Sequence, residues 1–97
     1  CSTASTMAYE NGGSYSISKF AMLGMSKVLR AELINSNIKV TALMPGPTYT
    51  NSWVGAQIPE ERFMQAGEIA DLVSTAYTLA GNAVVEEITI RPQLGDI

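Results

Sequence analysis

Apolar residues recur at helical spacing along the first third of the chain: Ile17, Phe20, Met22, Leu23, Met25, Val28, Leu29, Ala31 and Leu33. The pattern predicts a helix over Ser14–Ile34, entered from Asn11-Gly12-Gly13 and stopped by Asn35-Ser36-Asn37. These positions cover more than one narrow stripe, as in a helix buried on two sides, against a sheet and against a partner. "IKVTALMPG", Ile38–Gly46, is β-branched and apolar and reads as a strand that Pro45-Gly46-Pro47 stops. Residues 47–58 show no period and form a loop holding Trp53, after which Pro59 opens a short helical turn. Ile69, Leu72, Val73, Ala76, Leu79 and Ala80 return to helical spacing, predicting a second helix over Glu68–Ala80 closed by Gly81-Asn82. A final strand is expected over Val84–Arg91, where Glu86-Glu87 breaks the alternation and points to an edge or an interface.

The order helix, strand, loop, helix, strand fits right-handed crossovers onto a parallel sheet, an α/β architecture. A parallel sheet buries both faces, and two strands with two helices do not supply that cover. The expectation is therefore one partial domain over residues 1–97, with most of its sheet upstream of Cys1. The opening "CSTAST" also lacks an initiator Met and a signal-peptide pattern.

Composition narrows the chemistry. Six basic residues against nine acidic give a net charge of −3, and the basic residues are scattered, which argues against nucleic acid as a partner. No apolar run approaches the ~20 residues of a membrane span. With one cysteine and no histidine, an internal disulfide, a Cys/His zinc site and a Ser-His triad are excluded, and no metal site is expected. Low cysteine usage favours a reducing, cytoplasmic setting.

The candidate chemistry lies in "SYSISKF", Ser14–Phe20. Residues four apart share a helix face, so Tyr15 and Lys19 project together. A free phenol titrates near ~10, and bringing one down three units takes ~4 kcal/mol. One ammonium at ~4 Å supplies about that much at an effective dielectric constant of ~20, so such a pair suits general acid/base work. The spacing alone is common, and an amphipathic helix produces it without any catalytic purpose. Its surroundings are more specific. Ser2 lies thirteen residues before Tyr15, and Pro45-Gly46 follow the first strand with Thr50 four residues beyond.

With Ser2, "YSISK" and "PGPTYT" at these spacings, the whole chain resembles the C-terminal half of the short-chain dehydrogenase/reductase family. The resemblance implies a Rossmann-like doubly wound sheet and an oxidoreductase that interconverts a carbonyl and an alcohol with NAD or NADP, NADP being the first guess. It implies that Tyr15 exchanges a proton with the substrate oxygen. Lys19 would tune Tyr15 and bind the nicotinamide ribose, and Ser2 would donate to the substrate oxygen. Pro45, Gly46, Thr48 and Thr50 would wall the nicotinamide and contact its carboxamide, and residues from Asn51 to about Phe63 would form the substrate-side loop. A homo-dimer or tetramer through the long helix is implied as well. The family's Gly-rich phosphate loop belongs upstream, so these residues alone are expected neither to bind a dinucleotide tightly nor to turn over.

Several residues keep two readings. Thr3 or Ser5 replaces Ser2 if the register slips, although the thirteen-residue spacing favours Ser2. Trp53 is a substrate contact or a core anchor, Tyr9 a loop residue on the cleft, and Cys1 a packed thiol. A non-catalytic scaffold or an assembly module is the competing class, and it has no need of serine, tyrosine and lysine together.

Overall fold

The computed structural model describes residues 1–79 and 81–97. The chain opens with a 3₁₀ turn at Thr3–Ser5 and continues through α1 (Gly13–Glu32), β1 (Ala42–Pro45), 3₁₀ turns at Asn51–Trp53 and Glu60–Arg62, α2 (Ala66–Thr78) and β2 (Glu87–Ile90). The predicted order of elements is present. β1 and β2 pair in parallel, Ala42 opposite Glu87 through Pro45 opposite Ile90, with α2 in the crossover between them.

Both strands are shorter than their apolar runs. The expected strand over Ile38–Gly46 forms only at Ala42–Pro45, because the ladder starts where the Ala42 N–H meets the Glu86 carbonyl at 2.9 Å. Val40 spends its carbonyl on the Arg30 side chain instead. Val84 and Val85 likewise precede the ladder, so the expected strand over Val84–Arg91 narrows to Glu87–Ile90. Among the described residues β2 pairs with β1, and Glu87 forms an ion pair with Lys27 of α1 at 2.7 Å.

The helices shift by a turn or less. α1 stops at Glu32 rather than Ile34, in turns that carry Leu33 to Asn37. α2 starts at Ala66 rather than Glu68 because the Glu68 carboxylate accepts from the Gln65 N–H at 2.7 Å, closing the first turn. It ends at Thr78, so Leu79 lies beyond the helix; the expected end at Ala80 lies outside the described residues.

The core sits between α1 and β1. Ala42 and Met44, each 2 % exposed, point to one face of the strand and meet Leu23, with Cys1 packed beside them. Ser16, Leu23 and Ser26 are the buried positions of α1. The Ser26 hydroxyl donates to the Leu23 carbonyl at 2.7 Å, which lets a polar group enter the core. The opposite side of α1 is open: Ile17 is 71 % exposed, and Phe20, Met25 and Val28 are exposed with it. α2 is covered along Ile69, Leu72 and Ala76 only in part.

At the far end of α1, Arg30 ties the helix to both strand entrances. Its Nε donates to the Val40 carbonyl at 3.1 Å and its Nη2 to the Glu86 carbonyl at 2.6 Å. Among the described residues, no helix is long and apolar enough to cross a membrane.

Candidate active site

Ser2 begins the site. It caps the first 3₁₀ turn, its Oγ accepting from the Ala4 N–H at 3.1 Å while its own N–H donates to Ser5 Oγ at 3.1 Å. Ser5 is thereby buried inside the turn. This settles which hydroxyl faces the tyrosine: Tyr15 donates from its phenolic oxygen to Ser2 Oγ at 3.5 Å. Thr3 lies on the cleft wall, and its carbonyl accepts from the Thr6 N–H.

Tyr15 stands in the first turn of α1, half exposed, with the Lys19 ammonium over its ring at 5.4 Å from the centroid. The one-turn spacing brings the two together, with the cation above the ring face rather than out in solvent. What fixes the start of the helix is Gly12. Its N–H donates to the Tyr9 carbonyl at 3.1 Å, and a side chain there would collide with Ser16 Oγ.

Across an open cleft of about 770 Å³ stand Pro45, Gly46, Pro47, Thr48 and Thr50. The Gly46 N–H donates to the Ile90 carbonyl at 2.8 Å, extending the ladder one residue past β1 and turning the chain into the cleft wall. Thr48 donates to the Gly46 carbonyl at 3.1 Å, and Thr50 Oγ1 accepts from the Ser52 N–H at 3.3 Å, capping the next turn. Both hydroxyls are thus oriented by the local backbone. Met64 holds the loop from the other side, donating to the Pro47 carbonyl and accepting from the Tyr49 N–H.

Trp53 is anchored and faces the cleft as well. Its ring packs on the buried Phe63 at 4.9 Å between centroids, and it also lines the cleft. Tyr49 meets Phe63 edge-on at 5.6 Å, completing an aromatic support under the loop. Tyr9 lines the cleft from its loop. The sequence reading missed Asp96 and Ile97, which also line the cleft. They follow the last strand in a stretch without periodicity, so no local signal places them there.

A phenol and threonine hydroxyls line the cleft, with the Lys19 ammonium behind the tyrosine ring, and donors of this kind suit uncharged carboxamide and ribose hydroxyl groups such as those at the nicotinamide end of NAD(P).

The parallel β–α–β crossover, with Ser2 and Tyr15 on one cleft and Lys19 over the tyrosine ring, is an α/β arrangement. The short chain dehydrogenase family model matches residues 1–60, and the chain belongs to that family. It is 34 % identical over 99 residues to the sepiapterin reductase of Chlorobaculum tepidum, covering 99 % of this chain and 40 % of that protein. It is 35 % identical over 78 residues to an uncharacterized oxidoreductase of Staphylococcus epidermidis, covering 80 % of this chain and 34 % of the relative. Among solved structures, an alcohol dehydrogenase from Thermococcus sibiricus complexed with 5-hydroxy-NADP superposes with a TM-score of 0.78 at 26 % identity, covering 95 % of this chain and 39 % of that one. A betaketoacyl-[ACP] reductase from Bacteroides thetaiotaomicron gives 0.75 at 28 % identity, covering 86 % and 37 %. The fold is accordingly part of a Rossmann-like α/β domain. The chain spans about two fifths of the length of the first of these curated relatives.

Proposed function

We propose that the protein to which this chain belongs is an NAD(P)-dependent oxidoreductase interconverting a carbonyl and an alcohol, with Ser2, Tyr15 and Lys19 as its proton-transfer site. The observation that carries this reading is the 3.5 Å separation of the Tyr15 and Ser2 hydroxyl oxygens. At that spacing both reach a single third oxygen at ordinary O–H···O distances of ~2.7–2.8 Å. A carbonyl oxygen placed there accepts from both. As reduction proceeds, the Ser2 hydroxyl stabilises the charge growing on that oxygen and Tyr15 delivers the proton. Lys19, over the tyrosine ring, provides N–H donors to ribose hydroxyls. NAD(P), when bound, supplies or accepts the hydride. Pro45, Gly46, Thr48 and Thr50 form the wall against which its nicotinamide end rests, the two threonines held by the bonds described above. A cytoplasmic setting agrees with the single cysteine.

The test is Tyr15→Phe in the full-length protein, assayed with NADH and NADPH against a panel of aldehydes and ketones. Removing a general acid/base costs roughly 10²–10⁴ in kcat, and circular dichroism should stay as in the wild type. Undiminished turnover in a folded variant sinks the mechanism.

A further inference from the structure

Among the described residues, Asp96 is the one charged side chain that lines the cleft beside Ser2 and Tyr15. It is brought there by the segment that follows β2. Arg62 donates from Nη2 to the Gly95 carbonyl at 3.1 Å, and the Gly95 N–H closes a turn on the Pro92 carbonyl at 2.9 Å. Arg91 then takes one carboxylate oxygen of Asp96, with Nε 3.4 Å from Oδ2.

The other oxygen, Oδ1, stands against Gly46, where a Cβ would lie 3.1 Å from it. The lack of a side chain at Gly46 is what admits the carboxylate, so turn and tail fit each other. Arg91 is not a lining residue; its Nη2 reaches back to Met7 Sδ at 3.8 Å. The guanidinium therefore holds the carboxylate from outside, and a molecule in the cleft meets the negative partner of the pair. None of the other lining residues among those described carries a charged side chain to offset it.

We infer that Asp96 is a specificity-determining residue, selecting carbonyl substrates with a positively charged group remote from the reacting carbon and working against anionic ones. This rests on the carbonyl–alcohol reading above. A carboxylate accepts hydrogen bonds and donates none, so an anionic substituent beside it finds neither a donor nor a countercharge. Arg91 cancels part of the field at a distance, which confines the selection to groups near contact range.

The experiment uses the full-length protein with NAD(P)H and a neutral tert-butyl-substituted aldehyde that it reduces, alongside the isosteric trimethylammonio analogue and the corresponding carboxylate. The wild type should favour the cation over the anion in kcat/KM on the order of tenfold, the scale of one partly screened charge. Asp96→Asn should bring that ratio near one after normalisation to the neutral substrate, and Asp96→Glu should keep it. A ratio that Asp96→Asn leaves unchanged overturns the inference while the carbonyl reading stands. So does a ratio unchanged beside a raised cofactor KM, which puts Asp96 on the cofactor's side. Should Asp96→Asn not fold, loss of the ratio in Asp96→Glu overturns the inference and its retention supports it. Failure of the wild type to reduce any neutral carbonyl overturns the underlying reading and this inference with it.

Discussion

Replacing Gly12 by alanine probes how tightly the start of α1, and so Tyr15, is set. Gly12 has φ −67° and ψ −36°, which alanine adopts freely, so no backbone strain is involved. The cost is contact. An added Cβ lies 2.3 Å from Ser16 Oγ, 3.2 Å from Ser16 Cβ and 2.9 Å from the Tyr9 carbonyl oxygen. Ser16 is buried and its hydroxyl has no hydrogen-bond partner among the described residues, so displacing it loses no bond but crowds the atoms packed around it. The Tyr9 carbonyl cannot retreat without lengthening its 3.1 Å bond to the Gly12 N–H. Overpacking of this kind costs ~1–3 kcal/mol, and two unavoidable contacts place Gly12→Ala at about 2 kcal/mol. Ser16→Ala alone removes an unpaired buried hydroxyl and should be nearly neutral or slightly stabilising. Combined with Gly12→Ala it should recover about 1 kcal/mol, since the Tyr9 contact remains. Urea denaturation of the four full-length proteins gives the cycle directly. Gly12→Ala as stable as wild type, or the two changes additive within about 0.3 kcal/mol, would refute the account.

Two further outcomes follow from the surface. Lys27 hydrogen-bonds Glu87 and holds its carboxyl below the usual range, against a smaller opposing effect of burial. A depressed folded pKa contributes stability above the unfolded value that is lost as pH falls through the folded one. The melting temperature of wild type minus Glu87→Gln should therefore be positive near neutrality and shrink on acidification, and a difference independent of pH removes the pair from the account. We also propose that the open face of α1, with Ile17 and Phe20, joins copies of the protein; Ile17→Glu with Phe20→Glu should lower the sedimenting mass of the full-length protein, and an unchanged mass refutes that.

Much of this arrangement is legible in local sequence. Tyr15 and Lys19 meet because a helix brings residues four apart onto one face, and the apolar run through Leu23 marks that helix plainly. The ends of the strands were not legible, because a strand exists only where a neighbour pairs with it. Val40 and Val84 have β-forming side chains, yet the ladder begins at Ala42 and Glu87. The breadth of the apolar pattern on α1 also overstates its cover within the described residues, where Leu23 alone of its large apolar side chains is buried. Asp96 was invisible for a different reason: its place depends on Arg62, Arg91 and the bare Cα of Gly46, which lie far from one another in sequence.

Arg30 gives α1 a pivot. Tyr15 lies fifteen residues before it, roughly 22 Å along the axis at ~1.5 Å per residue. A tilt of about 3° around the bonds to Val40 and Glu86 swings the phenol by ~1 Å, a displacement that costs on the order of 10²-fold when a reacting group is misplaced. Angular error in this helix is multiplied by its length, so two carbonyls at one end govern the aim of a hydroxyl at the other.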